Sequence, residues 1–302
     1  MPMSVSSIFP NMPMNPPRPT AMEPLAGAAA QPALDIVALC PRFPAWGPAA
    51  RYAAELAMAL GATLTGLYIG KPLSSASPAG VPPALEREWL AYMHDEVRAA
   101  VVAGSGFVHW ASRFTPSPHW QVALGDPAEA LRTVGDWSDL LVLEHGEHTR
   151  GDPSGLIASA VLSGLACILV PEAAYVPGRL ERVAVAWDDT ALATRALHAA
   201  LPLLHRASEV VLLCSERSWE VPGSLPERLA FDARKHLVER GIVFAVEPVG
   251  QGGDAILAAA SRHRADLLVM GANGKHRFNV RYLDPDTDYV LHHAGLPLFL
   301  KH

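Results

Sequence analysis

The 302-residue chain sets 24 Lys and Arg against 30 Asp and Glu, a net charge of −6; half of its residues are hydrophobic and 18% are charged. That length fits about two domains, and the composition excludes a wholly disordered chain. No apolar run reaches the roughly 18 to 20 residues of a membrane span, and no Lys/Arg run supplies the footprint of a nucleic-acid or anionic-membrane partner.

Residues 1–33 place Met, Pro and Ala at close intervals without helix or strand periodicity and are expected to be disordered. They show no basic stretch followed by an apolar core, so no secretory leader is expected, and the chain reads as cytoplasmic. Its three cysteines, Cys40, Cys167 and Cys214, each lie in or beside an apolar strand-like run rather than at metal or redox spacing. They read as reduced core residues.

From Leu34 onward, short apolar runs alternate with helix-period segments, as in successive βαβ units. The first pass predicts strand DIVALC, helix 49–60 closed by Gly61, strand TLTGLYIG, a Pro/Ser-rich loop, helix 85–103 and strand FVHWASRF over 107–114. Helix 127–137, strand DLLVLE, helix 155–165 and strand ACILVP complete it. The second pass predicts strand RVAVAW, helix 190–205, strand EVVLLCS, helix 225–240, strand IVFAVEPV, helix 254–263, strand DLLVMG, a short polar helix over 286–293 and strand LPLFLK.

The segment GDPAEALRTVGDWSDLLVLEHG aligns with GGDAILAAASRHRADLLVMGANG, so the two passes are an internal duplication. The expected architecture is α/β: two tandem, doubly wound, five-stranded parallel-sheet domains of Rossmann-like type. They span 34–172 and 180–302, joined near residues 171–179, where two prolines and a glycine suit a linker.

Two segments of the second pass carry a resemblance to a known family. VAVAWDDTALATRALHAALPLL and DLLVMGANGKHRF resemble the universal stress protein family, and the whole of 34–302 is similar to a tandem member. The resemblance implies the adenine nucleotide alpha hydrolase-like version of the fold, with the two domains packed as a pseudo-dimer through the edge strand each forms last. Those strands are 167–170 and 298–300, whose burial against each other removes an aggregation-prone edge. A homodimer of the chain is a further expectation.

In an open parallel sheet, ligands bind at the carboxyl ends of strands, where helix N-termini offer free N–H groups. Both motifs fall there. The resemblance makes Asp188, Thr190, Gly271, Asn273, Gly274 and Thr287 the candidate binding residues, with ATP or AMP and Mg²⁺ as the ligand. The alternative reading makes Asp188 a helix cap and the glycines a tight loop.

Nucleotide-binding relatives place Gly and then Ser or Thr about nine residues after the second glycine of this motif, whereas this chain has Asp284 and Pro285. An aspartate opposes phosphate, and proline lacks the N–H donor. Asp189 similarly replaces a small glycine in the first turn.

The first pass lacks both motifs and reads as a degenerate, structural copy. Its Glu144, His145, Glu147 and His148 combine carboxylate and imidazole at the same edge, but lack zinc-site spacing and read as a polar loop. His292, His293 and His302 read as surface residues, so no metal site is expected. No nucleophile elbow, P-loop or dinucleotide fingerprint occurs, so no catalytic residue is assigned. The expected function is a stress-response module that binds adenine nucleotide in its second domain. A scaffold with a closed phosphate site is the alternative, and a weak ATPase or autophosphorylating protein ranks last.

Overall fold

A computed structural model describes residues 34–70, 83–146, 156–172, 177–215, 232–272, 274–277 and 280–302. The expected disorder of 1–33, the Pro/Ser-rich loop and part of the linker lie outside these residues.

The first half runs β1 (Asp35–Leu39), α1 (Pro48–Leu60), β2 (Thr63–Gly70), α2 (Pro83–Ala111), β3 (Pro118–Leu124), α3 (Pro127–Gly135), β4 (Leu140–His145), α4 (Leu156–Leu162) and β5 (Ala166–Pro171). The second runs β6 (Arg182–Trp187), α5 (Ala191–Leu204), β7 (Glu209–Ser215), α6 (Ala233–Glu239), β8 (Ala245–Val249), α7 (Gly253–Arg262) and β9 (Leu267–Gly271). A hairpin of β10 (Gly274–Arg277) and β11 (Val280–Leu283), then α8 (Pro285–His293) and β12 (Leu298–Lys301), closes it. Local chemistry sets several boundaries: α1 stops at Gly61, whose φ of 66° is the left-handed conformation that glycine adopts without penalty. Helix α3 starts where Asp126 accepts from the N–H groups of Ala128 and Glu129.

Among the described residues, ten strands form one sheet in the order β3-β2-β1-β4-β5-β12-β9-β6-β7-β8. All pairs are parallel except the central one, where β5 and β12 run antiparallel with Leu298 opposite Leu169, Phe299 opposite Ile168 and Leu300 opposite Cys167. Each half thus repeats one strand order, and the halves meet through the strand each forms last. These six residues are fully buried.

The side chains of each strand alternate between two apolar layers, both continuous across the joint. One combines Tyr52 of α1, Phe107 of α2 and Leu197 of α5 with Ile168 and Phe299; the other combines Leu131, Val161, Ala260 and Val290 with Leu169 and Leu298. The chain leaving the joint is docked onto α1: the Gly178 N–H donates to Glu55 Oε2 at 2.8 Å, and a Cβ at Gly178 would lie 2.6 Å from the Tyr52 carbonyl oxygen.

One predicted strand is corrected. FVHWASRF is not a strand; residues 107–111 are the last turns of α2, and the third strand is PHWQVAL, eleven residues further on. Ala100, Ala103, Phe107, Ala111 and Phe114 recur at intervals of three and four and pack on the core, a helical period that the local alternation of Phe, His and Ala concealed. The hairpin β10–β11 was also not anticipated. No described helix is long and apolar enough to cross a membrane.

Candidate functional site

Strands β6 and β9 are neighbours, and from them the chain winds in opposite directions, which makes their carboxyl ends the topological switch point of the second half. Asp188, Asp189 and Thr190 follow β6 there. Thr190 caps α5 by accepting from the Ala193 N–H at 3.1 Å. Asp188 Oδ1 accepts from the Thr190 hydroxyl at 2.7 Å and from its N–H at 3.1 Å, so this exposed carboxylate organises the turn into α5. Asp189 has a φ of 62°, a region where a short polar side chain is tolerated when it bonds locally, and its carboxylate accepts from Trp187 Nε1 at 2.9 Å.

Gly271 ends β9 directly beneath the first turn of α5. A Cβ there would lie 2.6 Å from the Leu192 carbonyl carbon and 2.7 Å from the Ala193 nitrogen. The glycine therefore lets helix and strand approach, a packing role that holds whether or not a ligand is present. Asn273 lies outside the described residues. Gly274 opens β10 and is paired across the hairpin with Leu283, which returns the chain to the same edge and delivers Asp284 beside it.

Asp284 is the cap of α8. Its Oδ1 accepts from the Thr287 N–H and its Oδ2 from the Thr287 hydroxyl, both at 2.9 Å, with Pro285 in the first turn. Thr287 is 2% exposed, so its hydroxyl is spent on Asp284 and faces the interior. Asp286 and Asp288 add two more carboxylates to the first turn. The terminus that the family resemblance would offer to phosphate is satisfied by the chain's own anion.

The structure thus brings Asp188, Thr190 and Gly271 together around the start of α5. Gly274 pairs with Leu283, the residue before the Asp284 cap, and Thr287 lies in the first turn of α8.

The first half has its own switch point between β1 and β4. Glu144, at the end of β4, has a side chain only 8% exposed, and Arg42 Nη2 holds its Oε2 at 2.6 Å. Arg42 Nη1 also reaches Glu172 Oε1 at 3.4 Å. The Glu144 carboxylate occupies the space beside Gly47, the residue that starts α1 without a side-chain cap, and a Cβ at 47 would require that carboxylate to move. An internal carboxylate therefore sits at a helix start in both halves. Sequence reasoning noted Glu144 but missed Arg42 and Glu172; the one available signal was an arginine immediately after the first strand.

His145 is buried, whereas Glu147 and His148 lie outside the described residues. Among the described residues, no group of three His, Cys, Asp or Glu side chains is arranged to hold a metal ion. All three cysteines are free and buried. Burial, aided by the nearby Glu144 charge, pushes the Cys40 thiol up to about 12, and burial pushes Cys214 up to about 11 against the lowering effect of Arg234. Neither is a thiolate nucleophile at neutral pH.

An α/β sheet wound in both directions, with helix starts collected at its switch points, defines the class of fold. A sequence model of the universal stress protein family matches residues 179–300. The match covers most of the second half, which is therefore similar to a universal stress protein domain. No curated protein matches the sequence.

Among solved structures, a universal stress protein from Archaeoglobus fulgidus DSM 4304 is similar with a TM-score of 0.60 at 14% identity, covering 88% of this chain and 96% of that one. A protein of unknown function from Pseudomonas aeruginosa PAO1 is similar with a TM-score of 0.52 at 12% identity, covering 89% of this chain and 92% of that one. At such identities the likeness is one of fold, and it extends over both halves.

Proposed function

We infer that the protein is a stress-response module of universal stress protein type that works through its surfaces rather than through a bound nucleoside triphosphate. The observation that carries this reading is the bidentate use of Asp284 by Thr287, which fills the start of α8 with a fixed negative charge. A triphosphate there would have to displace a cap that contributes about 1 kcal/mol and face three carboxylates in one helical turn. Glu144 makes the corresponding argument for the first half, where Arg42 neutralises a buried carboxylate instead of meeting an incoming phosphate.

The test is thermal unfolding with and without millimolar ATP, AMP and Mg²⁺. A ligand at about 100 times its Kd adds about 2.7 kcal/mol to the native state, several degrees for a chain of this size. The expected result is no shift for the native sequence, and a shift for the double variant Asp284→Gly, Pro285→Ser, which returns N–H and hydroxyl donors to the helix start. A nucleotide-dependent shift in the native protein that Gly274→Val abolishes overturns the reading and makes the second-half cleft a working nucleotide site.

A further inference from the structure

The two outer edges of the ten-stranded sheet are treated differently by the sequence. At one end, β8 carries Glu247 and Pro248 in mid-strand, and Glu247 is held by Arg262 and His263. An interior proline and a charged side chain are devices that prevent a further strand from adding to an edge. At the other end, β3 reads PHWQVAL, with no Asp, Glu, Lys or Arg and its only proline at the first position. Leu124 on it is 45% exposed. Among the described residues no further strand pairs with this edge, which leaves it open to pairing.

A groove of about 770 Å³ runs beside β3, between the strand and α2. Trp120 lies against Ala100 and Gly104, so this stretch of the helix is level with the middle of the strand. Trp120 is fixed in the floor by its indole N–H, which donates to the Ala100 carbonyl at 2.9 Å, and Gly104 leaves room for the ring. Val101 and Val102 on the helix are 60% and 68% exposed.

We propose that β3 and α2 form the interface of a two-fold homodimer, in which β3 pairs antiparallel with β3 of a second copy and the sheet continues through both. The charge pattern of α2 selects a second copy as the occupant. The N-terminal half of the helix exposes Glu88 and Asp95, with Arg98 beside Asp95 at 3.7 Å. From Val101 to Arg113 there is no acidic residue, and His109 and Arg113 are exposed. A two-fold axis near Gln121, the middle of β3, is level with Val101 to Gly104 on the helix. It lays the acidic N-terminal half of each α2 beside the other's C-terminal end, which carries no carboxylate and leads into Arg113, whereas a parallel arrangement would set the acidic halves together.

A seven-residue strand falls short of the roughly 800 Å² that each partner contributes to a stable interface. The apolar stripe of α2, part of a helix about 43 Å long, has to add the rest, so the helix is where the interface is most easily broken. This interface is distinct from the internal β5–β12 joint and does not depend on whether nucleotide binds.

Sedimentation velocity on the full chain over a concentration series tests the proposal. The native protein is expected to dimerise at micromolar concentration. Ser105→Arg, an exposed helical position beside the axis where the two arginines would face each other, should raise the dimer Kd by at least about a hundredfold while leaving the circular dichroism and the monomer's melting unchanged. His109→Glu should weaken the dimer several-fold, and adding Asp95→Lys to it should restore binding, because the exchange preserves the antiparallel pattern. A native protein that is monomeric throughout overturns the proposal and leaves the edge to a strand of another protein. A dimer insensitive to Ser105→Arg, or a charge exchange that fails to recover, overturns it as well.

Discussion

Asp284 shows how one side chain changes the chemistry of an inherited edge. A carboxylate at a helix start accepts backbone N–H groups and favours the macrodipole, and here it also accepts the hydroxyl of Thr287. Replacing Asp284 by Ala leaves the Thr287 N–H and hydroxyl, 2% exposed, without their acceptor. The expected cost is about 1 to 2 kcal/mol, measured as a shift in the urea midpoint at constant m-value, with Asp284→Asn losing less because the amide oxygen still caps. Equal stability of the alanine variant and the native protein would show that the cap is not what closes this site. Asp284 and Pro285 were legible in the sequence as departures from a phosphate motif. That Asp284 grips Thr287 was not, because a helix start is fixed only when the hairpin before it returns the chain to the sheet edge.

At the scale of elements, the strands that the sequence marked most clearly are those buried on both faces, such as TLTGLYIG and ACILVP, observed with the expected bounds. Where one face of an element is open, the pattern was ambiguous: the end of α2 read as a strand because Phe107, His109 and Ala111 alternate, although their partners three and four residues away fit a helix. Helix α6 is held on α5 by another pattern that sequence does not reveal. The rings of His198 and His236 stack with centroids 4.3 Å apart and 16° between planes, and His205 bridges the Leu201 and Arg240 carbonyl oxygens at 2.7 and 3.1 Å.

Burial first, then the His198 ring and the Arg240 charge, hold His236 below its ordinary value of 6.5, with Glu239 opposing. For a histidine depressed in the folded state, the unfolded chain binds the proton more readily once the pH falls below about 6.5. Stability is therefore complete above that pH and declines as the pH falls from there towards the folded-state value. His198→Gln removes one cause of the depression, so the decline in urea midpoint between about pH 7 and about pH 5 is expected to become shallower. An unchanged slope would mean that the stacked pair contributes nothing to the acid sensitivity.

At the scale of the whole molecule, the central question is whether the two halves are two folding units or one. The duplication in sequence suggests two, since each half repeats the strand order and has its own helices. The physical construction argues for one: both apolar layers cross the β5–β12 joint, and the six paired residues there have no exposed surface. Separating the halves would expose two apolar edge strands at once, which couples their unfolding.

Phe299 is the largest side chain in that pair of strands, fully buried opposite Ile168, and Phe299→Ala should cost about 3 to 5 kcal/mol through lost burial and the cavity left behind. The protein reports on both sides of the joint, because Trp46, Trp110 and Trp120 cluster in the first half with ring centroids 5.6 and 6.1 Å apart, while Trp187 stands at the end of β6 in the second. With Trp187 and Trp219, or Trp46, Trp89, Trp110, Trp120 and Trp137, replaced by phenylalanine, the remaining fluorescence follows one half alone. If the joint makes one unit, Phe299→Ala lowers the unfolding midpoint of both reporters by the same amount, although the substitution lies in the second half. A first-half reporter that holds its midpoint while the second moves would mean that the sheet, though continuous in hydrogen bonds, is divided in energy at β5–β12.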